Sequence, residues 1–119
     1  MCPDGWHLPS PAERDTLFAA VAEDADTAGT ALKTATGWYD GNEYYVPGTN
    51  SSGFSALPSG YGFRAGEFRY AGKGAYFWST FDNRQQDKAN GMGLDYADAS
   101  AYGINYEKYY GLAVRCLKD

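Results

Sequence analysis

The chain has 119 residues and a formal net charge of −5, from 10 basic and 15 acidic side chains. A chain of this length forms one domain that buries roughly two-thirds of its unfolded surface. Its basic residues are scattered, and no stretch approaches the roughly 18 apolar residues of a membrane span. We therefore expect no nucleic-acid partner and no direct insertion into a membrane. Nothing in the composition predicts an oligomeric state.

The composition also indicates the kind of core. Aromatic residues make up 17% of the chain and glycine occurs 15 times, whereas Leu, Ile and Val are sparse. We expect a core built from aromatic rings and small side chains, connected by many turns.

The first predicted element is a helix within LPSPAERDTLFAAVAED, residues 8–24. Ser10 suits the N-cap, Pro11 the first helical position, and Glu13 completes a capping box with Ser10. The apolar positions form one stripe of an amphipathic helix of about three turns: Leu17, Phe18 and Val21.

A second short helix is predicted in TALKTATGW, residues 30–38, because Ala, Leu and Lys favour helix and Gly37 would end it. Residues 39–52, YDGNEYYVPGTNSS, consist of turn formers interrupted by aromatics. They predict a loop.

The second half of the chain predicts antiparallel strands and hairpins. Short stretches rich in aromatic and β-branched residues alternate there with Gly, Asn and Asp. These stretches are GFSALPSGYGF (53–63), EFRYAG (67–72), GAYFWSTF (74–81), GMGLDY (91–96) and YYGLAVRCLK (109–118). Helices followed by strands define the α+β fold class.

The two cysteines, Cys2 and Cys116, lie at opposite ends of the chain. Their separation matches neither a CxxC redox motif nor a zinc site. The residues alone leave two interpretations open: a disulfide that joins the first strand to the last, or two free thiols. A disulfide that closes so long a loop contributes on the order of 4 to 5 kcal/mol in the chain-entropy model and requires an oxidising compartment.

Five blocks of the sequence together resemble the Fibrobacter succinogenes major paralogous domain, in order and over nearly the whole chain. They are CPDGWHLPS (2–10), GTALKTATGW (29–38), GFSALPSGY (53–61), AYFWST (75–80) and YGLAVRCLKD (110–119). That domain is similar in turn to the formylglycine-generating-enzyme branch of the C-type lectin fold.

The resemblance implies a single C-type-lectin-like domain over residues 1–119, with two helices, a twisted antiparallel sheet, long loops and termini that lie close together. Close termini would bring Cys2 beside Cys116 and favour the disulfide. The resemblance also implies an extracellular or cell-surface protein in which this domain follows other modules.

Two activities found in relatives of this fold are not expected here. Calcium-dependent sugar binding uses the triplets Glu-Pro-Asn or Gln-Pro-Asp together with Trp-Asn-Asp, whose oxygens converge on the ion, and none of these triplets occurs. Formylglycine generation needs two reactive cysteines to hold copper, and only Cys116 lies in the corresponding half of the chain. We therefore expect no metal and no cofactor.

Residues for other catalytic chemistry are few. His7 is the single histidine, which excludes a histidine-cluster metal site, and it belongs to the WHLPS block, where a structural role beside Trp6 is expected. Two carboxylate pairs are close in sequence: Asp95 with Asp98, and Asp82 with Asp87. Acidic residues in polar loops are usually solvated, so we do not expect an enzyme.

Residues 82–110 are the expected recognition surface, because Tyr with Ser, Asn, Asp and Gly is the composition of antibody-like binding surfaces. Candidate ligand-binding residues are Asn83, Arg84, Asp95, Tyr96, Asp98, Tyr102, Asn105, Tyr106 and Tyr109. Alternate residues of a strand face inward. Of Tyr96, Tyr102, Tyr106, Tyr109 and Tyr110, we therefore expect two in the core and three exposed.

The leading functional hypothesis is a non-enzymatic, extracellular module that binds a protein or glycan ligand through residues 82–110. The composition of this segment also resembles that of relatives diversified by retroelements, in which adenine-directed mutagenesis enriches Tyr, Asn, Asp, Ser and Ala. The alternative is a structural or attachment module of a surface protein, without a ligand of its own.

Overall fold

The structure is a computed structural model that describes residues 2–22, 25–80 and 87–119. Within these residues it has two helices, α1 (Pro11–Val21) and α2 (Ala25–Leu32). The strands are β1 (Trp6–His7), β2 (Tyr61–Arg64), β3 (Glu67–Arg69), β4 (Gly74–Trp78), β5 (Lys88–Asp95), β6 (Ala101–Glu107) and β7 (Leu117–Lys118). All strand pairs between them are antiparallel. The predicted α+β class is confirmed.

The described strands form three small sheets rather than one. β1 pairs with β7, β2 pairs with β3, and β5 is the central strand between β4 and β6. In the described part of the chain, no helix is both long and apolar enough to cross a membrane.

Helix α1 begins as the sequence predicts. The Ser10 hydroxyl accepts a hydrogen bond from the Glu13 amide at 3.1 Å, and the Glu13 carboxylate accepts one from the Ser10 amide at 3.1 Å. Pro11 occupies the first helical position, where its missing amide hydrogen has no cost. The capping box therefore fixes where α1 starts, and Phe18 is its buried anchor in the core.

The second helix lies earlier than predicted: it spans Ala25–Leu32 rather than residues 30–38. It ends because the chain then pairs with the segment around Ala56. The Ala56 amide donates to the Leu32 carbonyl at 2.9 Å, and the Thr34 amide donates to the Ala56 carbonyl at 3.1 Å. These extended-chain contacts outweigh the weak helix preference of the residues that follow.

Two strand predictions also change. No strand is predicted at residues 101–107, yet β6 pairs along its length with β5. Conversely, a strand is predicted within residues 109–118, but residues 111–116 form only isolated bridges, through Gly111 and Ala113. Val114 in this segment is 40% exposed. The closing strand is the shorter β7, which pairs with β1 at the surface.

The three-stranded sheet separates two environments. One face packs against the helices and carries the core. The core residues are Phe18, Ala28, Leu32, Trp38, Ala56, Ala75, Met92, Leu94 and Ala101. Rings and small residues dominate this list, as the composition predicts. The opposite face carries Tyr76, Tyr102 and Tyr106, since directly paired and alternate residues of an antiparallel sheet share a face.

The two ends of the chain are joined covalently and by an ionic contact. Cys2 and Cys116 form a disulfide, with their Cα atoms 5.9 Å apart. The His7 ring lies between two carboxylates: Nδ1 is 2.6 Å from Asp119 and Nε2 is 2.8 Å from Glu13. β1, the start of α1 and the residue after β7 are thus held together, and the predicted disulfide is present.

Lys33 is fully buried, directly after α2. Its Nζ atom donates to the backbone carbonyls of Val46 at 2.8 Å, Asp95 at 3.0 Å and Asp98 at 3.0 Å. Burial lowers the pKa of Lys33, and the charges of Asp95 and Asp98 oppose this shift. One ammonium group therefore joins α2 to a loop and to the turn between β5 and β6.

We predict that Lys33→Met lowers the free energy of unfolding by roughly 2 to 4 kcal/mol, because three carbonyls would lose their donor while an apolar side chain of similar size fills the space. Urea unfolding measures this effect. The exposed Lys118→Met is the matched control and should change stability little. A loss below about 1 kcal/mol in Lys33→Met would contradict the role assigned to this ammonium.

We also predict that His7 makes stability depend on pH. A hydrogen bond with Glu13, and to a smaller extent one with Asp119, raises the pKa of His7 above its ordinary value of 6.5. The stabilising contribution is therefore fully present below pH 6.5 and is lost as the pH rises through the raised pKa. The hydrogen bond with His7 lowers the pKa of Glu13 below 4.5. The stabilising contribution of the Glu13 carboxylate is therefore fully present above pH 4.5 and is lost as the pH falls through the lowered pKa.

Unfolding of the wild type and of His7→Gln should be compared at about pH 5.5 and about pH 8.5. The wild type should be the more stable of the two at the lower pH, and the difference should shrink at the higher pH. A difference that is independent of pH would mean that the imidazole charge contributes nothing to holding the ends together.

Candidate functional site

The β2–β3 hairpin is placed against the edge of the sheet by a glycine. Gly60 has a φ of +70°, and a Cβ there would lie 2.2 Å from the Arg69 carbonyl oxygen. The Gly60 amide donates to the Gly74 carbonyl at 2.8 Å, which ties the start of the hairpin to β4. Because only glycine combines this backbone angle with so close an approach, Gly60 determines where the hairpin lies.

Tyr61, the first residue of the hairpin, is the centre of a cluster of tyrosine rings. Its ring centroid is 5.4 Å from Tyr76, 5.5 Å from Tyr110, 5.7 Å from Tyr106 and 5.9 Å from Tyr70. The rings of Tyr70 and Tyr110 are stacked on it, and that of Tyr76 meets it edge-on. These are the favourable geometries for aromatic pairs.

The cluster continues outward to the surface of the molecule. Tyr110 contacts Phe63 at 5.3 Å and Tyr109 at 5.0 Å. Tyr109 is 69% exposed and Tyr70 is 51% exposed, whereas the other members are half-buried. We call this patch the aromatic surface: Tyr61, Phe63, Tyr70, Tyr106, Tyr109 and Tyr110.

Two tyrosines on the sheet form the base of this surface: Tyr76, which is buried, and Tyr102, which is half-buried. Tyr76 and Tyr102 face each other across Gly93 and share a hydrogen bond between their side chains. Burial raises the pKa of Tyr76, and burial raises the pKa of Tyr102 to about 12. Both hydroxyls therefore stay protonated at neutral pH, so the base of the surface is uncharged.

Two arginines border the aromatic surface. The Arg69 guanidinium lies 3.9 Å from the centre of the Phe63 ring, and that of Arg64 lies 4.8 Å from it. Cations in these positions are attracted by the ring face. The surface thus combines flat apolar rings, phenol hydroxyls and positive charge, which suits contact with a sugar ring, an aromatic side chain or an acidic group.

Three candidate ligand-binding residues lie on β6, and Tyr109 follows it. Of these four, Tyr106 and Tyr109 belong to the aromatic surface. Tyr102 lies beneath it as part of the base. Asn105 is exposed, but strand alternation puts it on the opposite face from Tyr106. The predicted set is therefore divided between the two faces of the sheet.

Asp95, Tyr96 and Asp98 lie apart from the aromatic surface, at the turn between β5 and β6. The Asp95 carboxylate accepts from the Ala97 amide at 2.9 Å, and that of Asp98 accepts from the Ser100 amide at 2.8 Å. These bonds stabilise the turn itself.

Tyr96 packs edge-on against Tyr39 at 5.2 Å, and its hydroxyl accepts a hydrogen bond from the Asn42 side chain at 3.1 Å. This residue therefore holds the loop of residues 39–52 against the sheet.

The expected division of the five tyrosines, two in the core and three exposed, is wrong. Tyr109 alone is exposed, and the other four are half-buried: Tyr96, Tyr102, Tyr106 and Tyr110. Tyr96, Tyr106 and Tyr110 each contact the ring of another tyrosine, and Tyr102 shares a side-chain hydrogen bond with Tyr76. Asp82, Asn83 and Arg84 lie outside the described residues.

The contribution of the β2–β3 hairpin to the aromatic surface is not predicted from the sequence. Tyr61, Phe63 and Tyr70 supply half of the aromatic surface, although they lie outside the predicted segment of residues 82–110. The alternation of Tyr61 and Phe63 indicates that both face one side of a strand. The contact of the Tyr61 ring with Tyr106 on β6 depends on long-range packing that no local sequence pattern encodes.

Among the residues that the structure describes, no group of three or more His, Cys, Asp or Glu side chains is arranged to hold a metal ion. The two carboxylates beside His7 lie on opposite edges of its ring. They therefore do not converge on a single point.

Fold and site together define a small α+β domain, closed by a disulfide between its ends, that presents an aromatic surface. The family model of the Fibrobacter succinogenes major domain matches residues 1–118, and the chain belongs to that family. No curated protein and no solved structure matches the chain. The likeness to the C-type lectin fold therefore stays a prediction.

Proposed function

We propose that this chain is a non-enzymatic, extracellular binding module that contacts a protein or glycan ligand through the aromatic surface. The proposal rests on the packing of exposed tyrosine rings against half-buried ones. Tyr70 and Tyr109 are exposed, and both pack on half-buried tyrosines of the same cluster. Rings held in this way lose little conformational entropy when a ligand binds.

The chemistry of the surface supports both ligand classes. Tyrosine gives a large apolar area with a polar tip and is enriched at the energetic centres of protein interfaces. Flat rings also provide stacking area for sugars. Arg64 and Arg69 add positive charge at the border, which favours a ligand that carries acidic groups.

The disulfide supports the extracellular part of the proposal. Bonds such as Cys2–Cys116 form and persist in oxidising compartments and are rare in the cytosol. A cell-surface or secreted location, with this domain as one module of a larger protein, is consistent with that chemistry.

Diversification of residues 82–110 by a retroelement stays a hypothesis within this proposal. The structure limits where it would be tolerated. Asn105 and Tyr109 are exposed, whereas the Asp98 carboxylate stabilises the turn between β5 and β6, and Tyr102 and Tyr106 pack within the tyrosine cluster. Diversified copies should therefore differ mainly at the outward-facing positions.

The alternative, an attachment module without a ligand, is favoured by a different observation. Trp6, Leu117 and Val114 are each at least 40% exposed around the joined ends of the chain. Apolar side chains at such a place fit a contact with a neighbouring module.

The proposal predicts that Tyr70→Ala combined with Tyr109→Ala weakens binding to the ligand by roughly tenfold or more, as expected for the loss of aromatic anchors. Arrays of plant glycans, host glycans and extracellular proteins identify the ligand, and titration of the hit measures the loss. Because both side chains are exposed, the unfolding midpoint should stay nearly unchanged.

Tyr44→Ala is the matched control, since Tyr44 is 64% exposed and lies on a loop outside the aromatic surface. This variant should bind like the wild type. If the folded double variant also binds like the wild type, the aromatic surface is not the binding site. If the wild type is retained by no array component, the attachment alternative gains support.

A further inference from the structure

A second feature lies on the other face of the sheet, independent of the aromatic surface. A cavity of about 270 Å³ opens between α1, the helix-facing side of β4 and β5, and the end of the chain. Its walls are mostly apolar and include Leu17, Phe54, Phe77 and Met92. Phe54 and Phe77 meet edge-on at 5.7 Å, which gives the cavity an aromatic wall.

The rim of this cavity carries an arginine whose charge is not neutralised by the described residues. The Arg115 guanidinium lies 3.9 Å from the centre of the Phe54 ring and donates to the Phe54 carbonyl oxygen. No carboxylate in the described ranges is within ion-pair distance of it. Stacking on Phe54 therefore holds the guanidinium in place, and no carboxylate of residues 2–22, 25–80 or 87–119 compensates its charge.

The other ionised groups on the rim are already engaged. Arg14 pairs with Asp15 at 3.1 Å and donates to the Gly91 carbonyl at 3.0 Å. The Glu13 carboxylate accepts from the Ser10 amide and contacts His7. Arg115 is thus the group on the rim that is best placed to receive a ligand anion.

The volume of the cavity limits the size of the ligand that it can hold. An apolar cavity of roughly 150 Å³ holds benzene, and drug-sized ligands occupy roughly 300 Å³ or more. A volume of about 270 Å³ therefore suits one aromatic ring with a short chain. The forked guanidinium matches a carboxylate, and the nearby Glu13 carboxylate disfavours an anion with two charges such as a phosphate monoester.

We propose that this cavity binds a small aromatic monocarboxylate, with its ring among Leu17, Phe77 and Met92 and its carboxylate on Arg115. Apolar burial provides affinity, and the charge-assisted hydrogen bonds of the guanidinium select the ionised acid over neutral analogues. This site shares no residue with the aromatic surface, so its test is independent of the proposed function.

The experiment uses the whole chain and three probes: 3-phenylpropanoate, its neutral amide, and acetate, which lacks the ring. Titration followed by NMR should show saturable binding of the acid, with shifts at the methyl groups of Leu17 and Met92. The amide should bind roughly tenfold more weakly, the difference expected for a lost charge-assisted contact. Acetate should not produce these methyl shifts.

Arg115→Gln should reduce the affinity for the acid to that for the amide while leaving binding of the amide unchanged. Lys73→Gln is the matched control: it removes one positive charge from a residue that belongs neither to the cavity nor to the aromatic surface, and it should bind the acid like the wild type. Equal losses in both variants would show that overall charge, rather than the site, governs binding.

Two further results would overturn the proposal. The first is the absence of saturable binding of the acid to the wild type. The second is equal affinity of the wild type for the acid and the amide. Both comparisons use the unmodified protein, so they hold even if the Arg115 variant is poorly folded.

Discussion

The buried ammonium of Lys33 is the contact on which the arrangement of the domain depends. Burying a charge is costly unless hydrogen bonds replace its water, and here the replacement comes from carbonyls of two segments far apart in sequence, at Val46 and at Asp95 and Asp98. If either segment moves away, the ammonium loses its partners. The end of α2, the loop of residues 39–52 and the turn between β5 and β6 are therefore fixed relative to one another.

That arrangement leaves the three-stranded sheet with two faces of different character. The helices bury one face, and the cavity bordered by Arg115 lies at the end of that layer. The other face is covered by tyrosines that pack on one another and on the β2–β3 hairpin. Half-burial of these rings provides both a stable base and an exposed edge, which is what a recognition surface requires. The two proposed sites thus use opposite sides of one sheet.

Local signals in the sequence predicted the parts of the fold that depend on neighbouring residues. The capping box at Ser10 and Glu13 is a local hydrogen-bond pattern, and the structure reproduces it. The end of α2, the pairing of β6 and the burial of Lys33 depend on contacts between distant segments, so composition and periodicity did not reveal them. The candidate site was predictable only in part for the same reason. The composition of residues 82–110 points to Tyr106 and Tyr109, whereas Tyr61 joins them only because the β2–β3 hairpin docks against the sheet.

Hydroxyl-radical footprinting of the free and ligand-bound protein would show whether a partner covers the aromatic surface. The ligand is the protein or glycan retained in the array experiment. Oxidation of Tyr70 and Tyr109 should fall on binding, while that of Tyr44, whose exposure lies between theirs, should not change. Protection of Tyr44, with Tyr70 and Tyr109 still fully oxidised, would mean that the partner binds elsewhere on the domain.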